Sequence, residues 1–279
     1  MLLEPPLGEY YVSVLSGRGQ GQTRRIVKRI RETVFLDRPW AVPPDRDSLV
    51  SLSTAFYQNL IVGNHASDGM TGIQLWIAGI ENVISGNTIA RQRKPGLLLY
   101  ANATTLASSM PRTWNRGISP LFWTFVEGNR VDECSAGVRV TIGDAPELPI
   151  EFPRALGNVI RHNSFVRSRT DGVSLSSRPP SDQVLDTSAS IVGTVVEFNV
   201  VRDAQTAYHA GPGTEATLFH RNHAYFWYPV SLDPSPPVAF QIDQANTIVI
   251  RDANRVEGPQ GETDNRITEV RAPEGDPEP

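Results

Sequence analysis

The sequence predicts an all-β chain arranged as a solenoid of short parallel strands, each rung resting on the next. Three observations carry that prediction. An asparagine closes a short apolar run six times, at Asn64, Asn87, Asn129, Asn163, Asn199 and Asn222. Fixed offsets accompany it. Three residues earlier stand Ile61, Ile84, Val126, Ile160, Val196 and Phe219, and two residues later Ala66, Ile89, Val131, Phe165, Val201 and Ala224. Two of the spacings, Asn64 to Asn87 and Asn199 to Asn222, are the same 23 residues. The longer spacings read as one rung plus insertions in a loop.

After each anchor come a small residue and an alternating triplet. These are Gly72-Ile73-Gln74-Leu75, Gly96-Leu97-Leu98-Leu99, Gly137-Val138-Arg139-Val140 and Gly172-Val173-Ser174-Leu175. Weaker versions follow at Ala207-Tyr208-His209 and Pro229-Val230-Ser231-Leu232. Alternation over so few residues describes a short strand with one face in and one face out. Such a strand buries too little apolar surface alone, so rungs must stack. An inward Asn in every rung can hydrogen-bond the backbone of its neighbours, and Asn tolerates the left-handed backbone of tight bends. A second polar column, Asn59, Asn82, Thr124, Asn158, Thr194 and Thr217, stands five residues ahead of the anchors.

With these columns, the stretch from Tyr10 to Val256 resembles the right-handed parallel β-helix proteins of the pectin-lyase-like superfamily. The resemblance implies a single-stranded right-handed parallel β-helix of roughly seven to nine rungs, with long loops on one edge. It also implies a polysaccharide or glycan as partner and a place outside the cell or at its surface. It does not reach the chemistry. The Asn-Thr-Asp, paired-Asp, Gly-His-Gly and Arg-Ile-Lys motifs of polygalacturonase-type hydrolases are absent, as is the acidic cluster of calcium-dependent pectate lyases. The alternative architecture is an antiparallel β-sandwich whose Asn turns coincide by chance.

At 279 residues the chain would ordinarily suggest one or two domains, but a solenoid has no single core and can run this long as one. The expected division is a β-helix over 1–256 and an acidic, Pro- and Gly-rich disordered tail over 257–279. Apolar residues make up only 39%, with 22 Gly and 22 Pro, which fits a turn-rich coil better than a helical protein. The tail carries seven acids against two arginines, so the body is nearly neutral and nothing argues for nucleic acid. No apolar stretch has the length of a membrane helix, so no membrane insertion is expected. One cysteine, Cys134, excludes an internal disulfide framework. Met1 to Pro6 lacks the pattern of a signal peptide. Strand-like residues begin at Tyr10 with no polar cap ahead of them, which leads to the expectation of a truncated amino-terminal end.

In chain order, Tyr10 to Ser16 reads as a strand and Gly17 to Ile26 as a glycine-rich turn between two rungs. No Gly-Lys-Ser/Thr follows, so the glycines do not form a P-loop. Thr33 to Asp37 is a further strand, Arg38 to Asp45 a stiff Pro-rich connection, and Ser48 to Ser53 restarts the coil. Gln244 to Val256 reads as a last, irregular rung with Asn254 one step out of register.

Three connections after the triplets are long: Ala101 to Phe122, Thr141 to Leu156 and Ser176 to Gly193. They leave the same corner in consecutive rungs, so they should wall one edge of one sheet, where binding sites concentrate. Beside that wall the outward column is Gln74, Leu98, Arg139, Ser174, His209 and Ser231, with Trp76, Tyr100, Thr141 and Ser176 two residues further on. Rungs lie about 4.8 Å apart, so Trp76 and Tyr100 should form an aromatic ledge leading towards Arg139. A flat aromatic beside a guanidinium suits a sugar ring that carries a carboxylate. The candidate substrate-binding residues are therefore Gln74, Trp76, Tyr100, Arg139, Ser174 and His209, with Trp114 and Arg178 from the loops. Arg139 and Asp171 are the catalytic candidates, for cleavage by lyase or hydrolase chemistry, with a non-catalytic scaffold or adhesion protein as the competing reading.

A separate column, Leu60, Val83, Phe125, Val159, Val195 and Leu218, should form an apolar stripe facing outward on another sheet. Such stripes usually have a partner, here the loops or further copies of the chain in a homo-oligomer. His220 and His223 lack an evident third ligand, so neither a metal nor any other cofactor is expected.

Overall fold

The computed structural model describes residues 10–77, 79–105, 116–142, 154–177, 191–211, 213–227, 237–242, 248–250 and 253–258. Every regular element among them is a strand. Most belong to four parallel sheets. The first holds two-residue strands: Phe56–Tyr57, Gly79–Ile80, Leu121–Phe122, Ala155–Leu156, Ile191–Val192 and Thr214–Glu215. The second holds Leu60–Val62, Val83–Ser85, Phe125–Glu127, Val159–Arg161, Val195–Glu197, Thr217–His220 and Ile248–Ile250. The third runs from His65–Ser67 and Thr88–Ala90 through Arg130–Asp132, Ser164–Val166 and Val200–Arg202 to His223–Tyr225 and Arg255–Glu257. The fourth holds Ile73–Ile77, Leu97–Thr105, Val138–Ile142, Asp171–Ser177, Thr206–Ala210 and Val238–Ile242.

The chain visits these sheets in the same order each time, and one visit to all four is here a tier. Residues at the same offset in successive tiers pair directly: Ile84 lies between Ile61 and Val126, and Ile89 between Ala66 and Val131. Alternation explains which side chains go inside. The middle residue of each short strand points inward, so Ile84, Val126, Ile160, Val196 and Phe219 are buried, as are Ile89, Val131, Phe165, Val201 and Ala224. Leu97, Leu99, Val138, Val140, Val173 and Leu175 from the fourth sheet complete one continuous core.

The polar columns occupy the corners of this core. Asn129 Nδ2 donates to Ile84 O at 2.8 Å in one neighbouring tier and to Asn163 Oδ1 at 3.0 Å in the other. The Asn129 backbone N–H donates to the same Asn163 Oδ1 at 2.9 Å. The pattern repeats from Asn64 through Asn87, Asn163, Asn199 and Asn222, so each anchor Asn pairs its side-chain amide with the backbone and the Asn of the adjoining tiers. It extends to Asn254, whose Oδ1 accepts the Asn222 N–H at 2.8 Å. The expected slip in register at Asn254 is therefore absent. The sequence has one more residue between Ile250 and this anchor than in the other tiers, yet Ala253 keeps the positive φ, 79°, of the residue before each anchor.

The small residues ahead of the fourth-sheet strands are a packing requirement. A Cβ on Gly172 would stand 2.7 Å from Ala207 O and 2.5 Å from Val201. One on Gly137 would lie inside contact with both Gly172 O and the Phe165 ring. At Gly137 and Gly172 the tiers approach too closely for a side chain, whereas Ala207 and Ala239 continue the same file.

The amino-terminal part departs from the expected rungs. β1 (Tyr10–Ser16), β2 (Thr23–Ile30), β3 (Thr33–Leu36) and β4 (Leu49–Thr54) form an antiparallel sheet in the order β3-β2-β1-β4. Gly17, Gly19 and Gly21, all at φ 81–84°, make the turn within it rather than a turn between tiers. Leu15 of β1 packs on Ile80 and Phe122, the outward apolar residues of the first parallel sheet, and Trp123 Nε1 donates to Gly21 O at 2.8 Å. Gln22 fastens the Pro-rich connection, donating to Val42 O at 2.8 Å and accepting from the Ala41 and Val42 N–H groups. An alternating strand reads the same in either kind of sheet, and the apolar face at Phe122 decides where this one rests.

At the other end, partial burial of His223 holds its imidazole below the usual 6.5; Arg255 pushes the same way and Glu257 opposes. The unfolded chain therefore takes up a proton before the folded one does. Stability should fall as pH drops through 6.5 and level off below the folded value. Urea melts at pH about 7.5 and about 5.5 check this, with a smaller difference expected for His223→Gln.

Candidate functional site

The fourth sheet puts the predicted column in register. Gln74, Leu98, Arg139, Ser174 and His209 are successive strand partners, as are Trp76, Tyr100, Thr141 and Ser176. The sixth position falls to Gln241 of Val238–Ile242, so Ser231 is not the member of the column that the sequence pattern suggested. Ala101, Ile142 and Ser177 are also register partners, so the three long connections leave one edge of this sheet from consecutive tiers, the first opening as a hairpin in which Leu97–Thr105 runs past Ala101 and pairs antiparallel with Arg116–Ser119. Trp114 and Arg178 lie outside the described residues.

Trp76 and Tyr100 form the expected ledge. Their rings stack with centroids 4.3 Å apart and planes within 13°, and Trp76 remains 46% exposed. Stacking follows from parallel register alone, since equal side chains one tier apart meet face to face.

Diagonally across from Tyr100, three charged or titratable groups converge from three tiers. Arg139 Nη2 lies 3.5 Å from Asp171 Oδ2, and His209 Nδ1 lies 3.7 Å from Asp171 Oδ1. Asp171 sits at the start of its strand, next to the Gly172 corner, where its carboxylate can face both neighbours. The side chain of Asp171 is 13% exposed and that of Arg139 35%. Ser174, whose backbone lies between Arg139 and His209, is only 2% exposed. The partnership of Asp171 with His209 was not anticipated. Its sequence signal was present, because both lie in adjacent tiers on the outward side of the Gly172 corner.

The imidazole presents its other nitrogen inward: His209 Nε2 is buried, near the point where a Cβ on Gly211 would stand. No group of three or more His, Cys, Asp or Glu suited to a metal ion occurs among the described residues. No helix among them is long and apolar enough to cross a membrane.

Comparison with protein-family models, with curated proteins and with solved structures gave no match. The class rests on the architecture itself: an all-β chain of stacked parallel sheets, with an aromatic ledge and an Arg–Asp–His cluster on the outer face of one of them.

Proposed function

We propose that the chain is a right-handed parallel β-helix of pectin-lyase-like type whose fourth sheet binds a polysaccharide along its outer face. The observation that carries this reading is the stacked Trp76–Tyr100 pair beside Arg139. A half-exposed indole backed by a second ring offers a rigid apolar plane to the face of a sugar, at little entropic cost. Arg139, Asp171 and Gln74 supply donors and acceptors for hydroxyl groups at the next tiers. Arg139 already faces Asp171, yet a guanidinium has five N–H donors, which leaves room for a uronate carboxylate beside it.

The approach of Asp171 to Arg139 is what favours the second reading, lyase or hydrolase cleavage with these two as acid and base. A scaffold without ligand is the remaining alternative.

A glycan array with neutral and uronate-containing polysaccharides separates the three. The parent should bind, Trp76→Ala should weaken binding about tenfold through lost stacking, and Arg139→Ala should weaken chiefly the uronate ligands. Thr88→Ala, on the third sheet, should bind like the parent. New reducing ends or unsaturated uronate in the bound fraction would establish cleavage, and a parent that binds no glycan would support the scaffold.

A further inference from the structure

The second sheet turns a file of apolar side chains outward, one per tier: Leu60, Val83, Phe125, Val159, Val195 and Leu218. Leu60 is 74% exposed and Phe125 37%, while the others are half-buried by their own neighbours. The antiparallel amino-terminal sheet leaves this face alone, because it packs on Ile80 and Phe122 of the first sheet. Two residues further along the same strands runs a second outward file: Val62, Ser85, Glu127, Arg161, Glu197 and His220. Its charges alternate, and Arg161 Nη2 lies 3.1 Å from Glu127 Oε2 within the chain.

We infer that this face is the contact surface for a second copy of the chain, packed face to face with its stacking direction reversed. A two-fold axis parallel to the strands, passing between Phe125 and Val159, makes the face complementary to itself. Phe125 then meets Val159 of the second copy, Val83 meets Val195 and Leu60 meets Leu218, so each of these six finds an apolar partner, while Val249, the register partner of Leu218 in the next tier, lies beyond the paired stretch. In the flanking file Glu127 meets Arg161 of the second copy, and Arg161 meets Glu127. A pairing with both copies in the same direction would instead set Glu127, Arg161 and Glu197 against the uncharged Trp123, Gly157 and Gly193, and would leave Glu81 facing Ser85. Five spacings of about 4.8 Å make the file about 24 Å long. With its flanks it covers about 500 Å² on each copy, which corresponds to a weak, reversible dimer. The inference does not depend on the glycan reading, which concerns a different sheet.

Sedimentation equilibrium over a concentration series tests it. The parent should show a reversible monomer–dimer equilibrium, and Val159→Asp should be monomeric with an unchanged circular dichroism spectrum. Glu127→Arg and Arg161→Glu should each weaken association at least about tenfold by setting like charges face to face. Combining the two reversals should return the affinity to that of the parent, and because it also restores the pair within the chain, each single reversal must keep the parent's circular dichroism spectrum and melting midpoint for the rescue to count. A parent that stays monomeric, a trimer, or a double reversal no better than the single ones would overturn the inference.

Discussion

Asn163→Ala is expected to cost about 4 kcal/mol of folding stability, far more than its size suggests. Asn163 is 1% exposed. Its Oδ1 accepts from the Asn129 N–H at 2.9 Å and from Asn129 Nδ2 at 3.0 Å. Its Nδ2 donates to Val126 O at 2.9 Å and to Asn199 Oδ1 at 3.0 Å. Alanine leaves a buried N–H and a buried carbonyl without partners, and each such group costs about 1–3 kcal/mol. Tiers are coupled mainly to their nearest neighbours, so the loss falls in the middle of the stack, where it uncouples the two halves. Urea unfolding followed by circular dichroism should show a lower midpoint and a broader transition. Asn64→Ala, in the first described tier where the column is more exposed, should cost much less.

Gly137→Ala is the second large effect, about 3 kcal/mol, and it has a different cause. The added methyl would press on the Gly172 carbonyl and on the Phe165 ring, which is itself fully buried. Backbone and a packed aromatic cannot both move aside without parting two tiers. Gly63→Ala is the matching control. Gly63 has φ +68° but nothing within 4 Å of the added carbon. Only the left-handed backbone is penalised there, by about 1 kcal/mol. Thermal melts of both variants compare crowding with strain directly; equal losses would show that tiers are not held close at the Gly137 corner.

Much of this was legible because stacking turns sequence offsets into spatial files. The Asn and Ile columns, the small residues ahead of the fourth sheet, and the contact of Trp76 with Tyr100 all follow from one repeat length. The file breaks down where another variable enters. Tyr10 to Ser16 alternates as any half-buried strand would, and its antiparallel pairing with Arg24 and Leu52 depends on partners far along the chain. Asn254 looked displaced because sequence distance counts the extra residue before it, whereas the ladder does not. The last fourth-sheet strand was sought at Val230 to Leu232, but Val238–Ile242 is the partner that the structure provides.

Aromatic ledge, amide ladder and apolar face all require that equivalent residues of successive tiers lie side by side. Paired cysteines measure this most directly. Gln74 and Leu98 are register partners with outward side chains, whereas Gln74 and Tyr100 are two residues out of step. Under mild oxidation, Gln74→Cys/Leu98→Cys should close a disulfide in the folded protein, within the Cα separation of about 4.4–6.8 Å that such a bond spans. Gln74→Cys/Tyr100→Cys should stay reduced. A bond in the second pair and none in the first would contradict the register, and with it the surface proposed to bind a sugar.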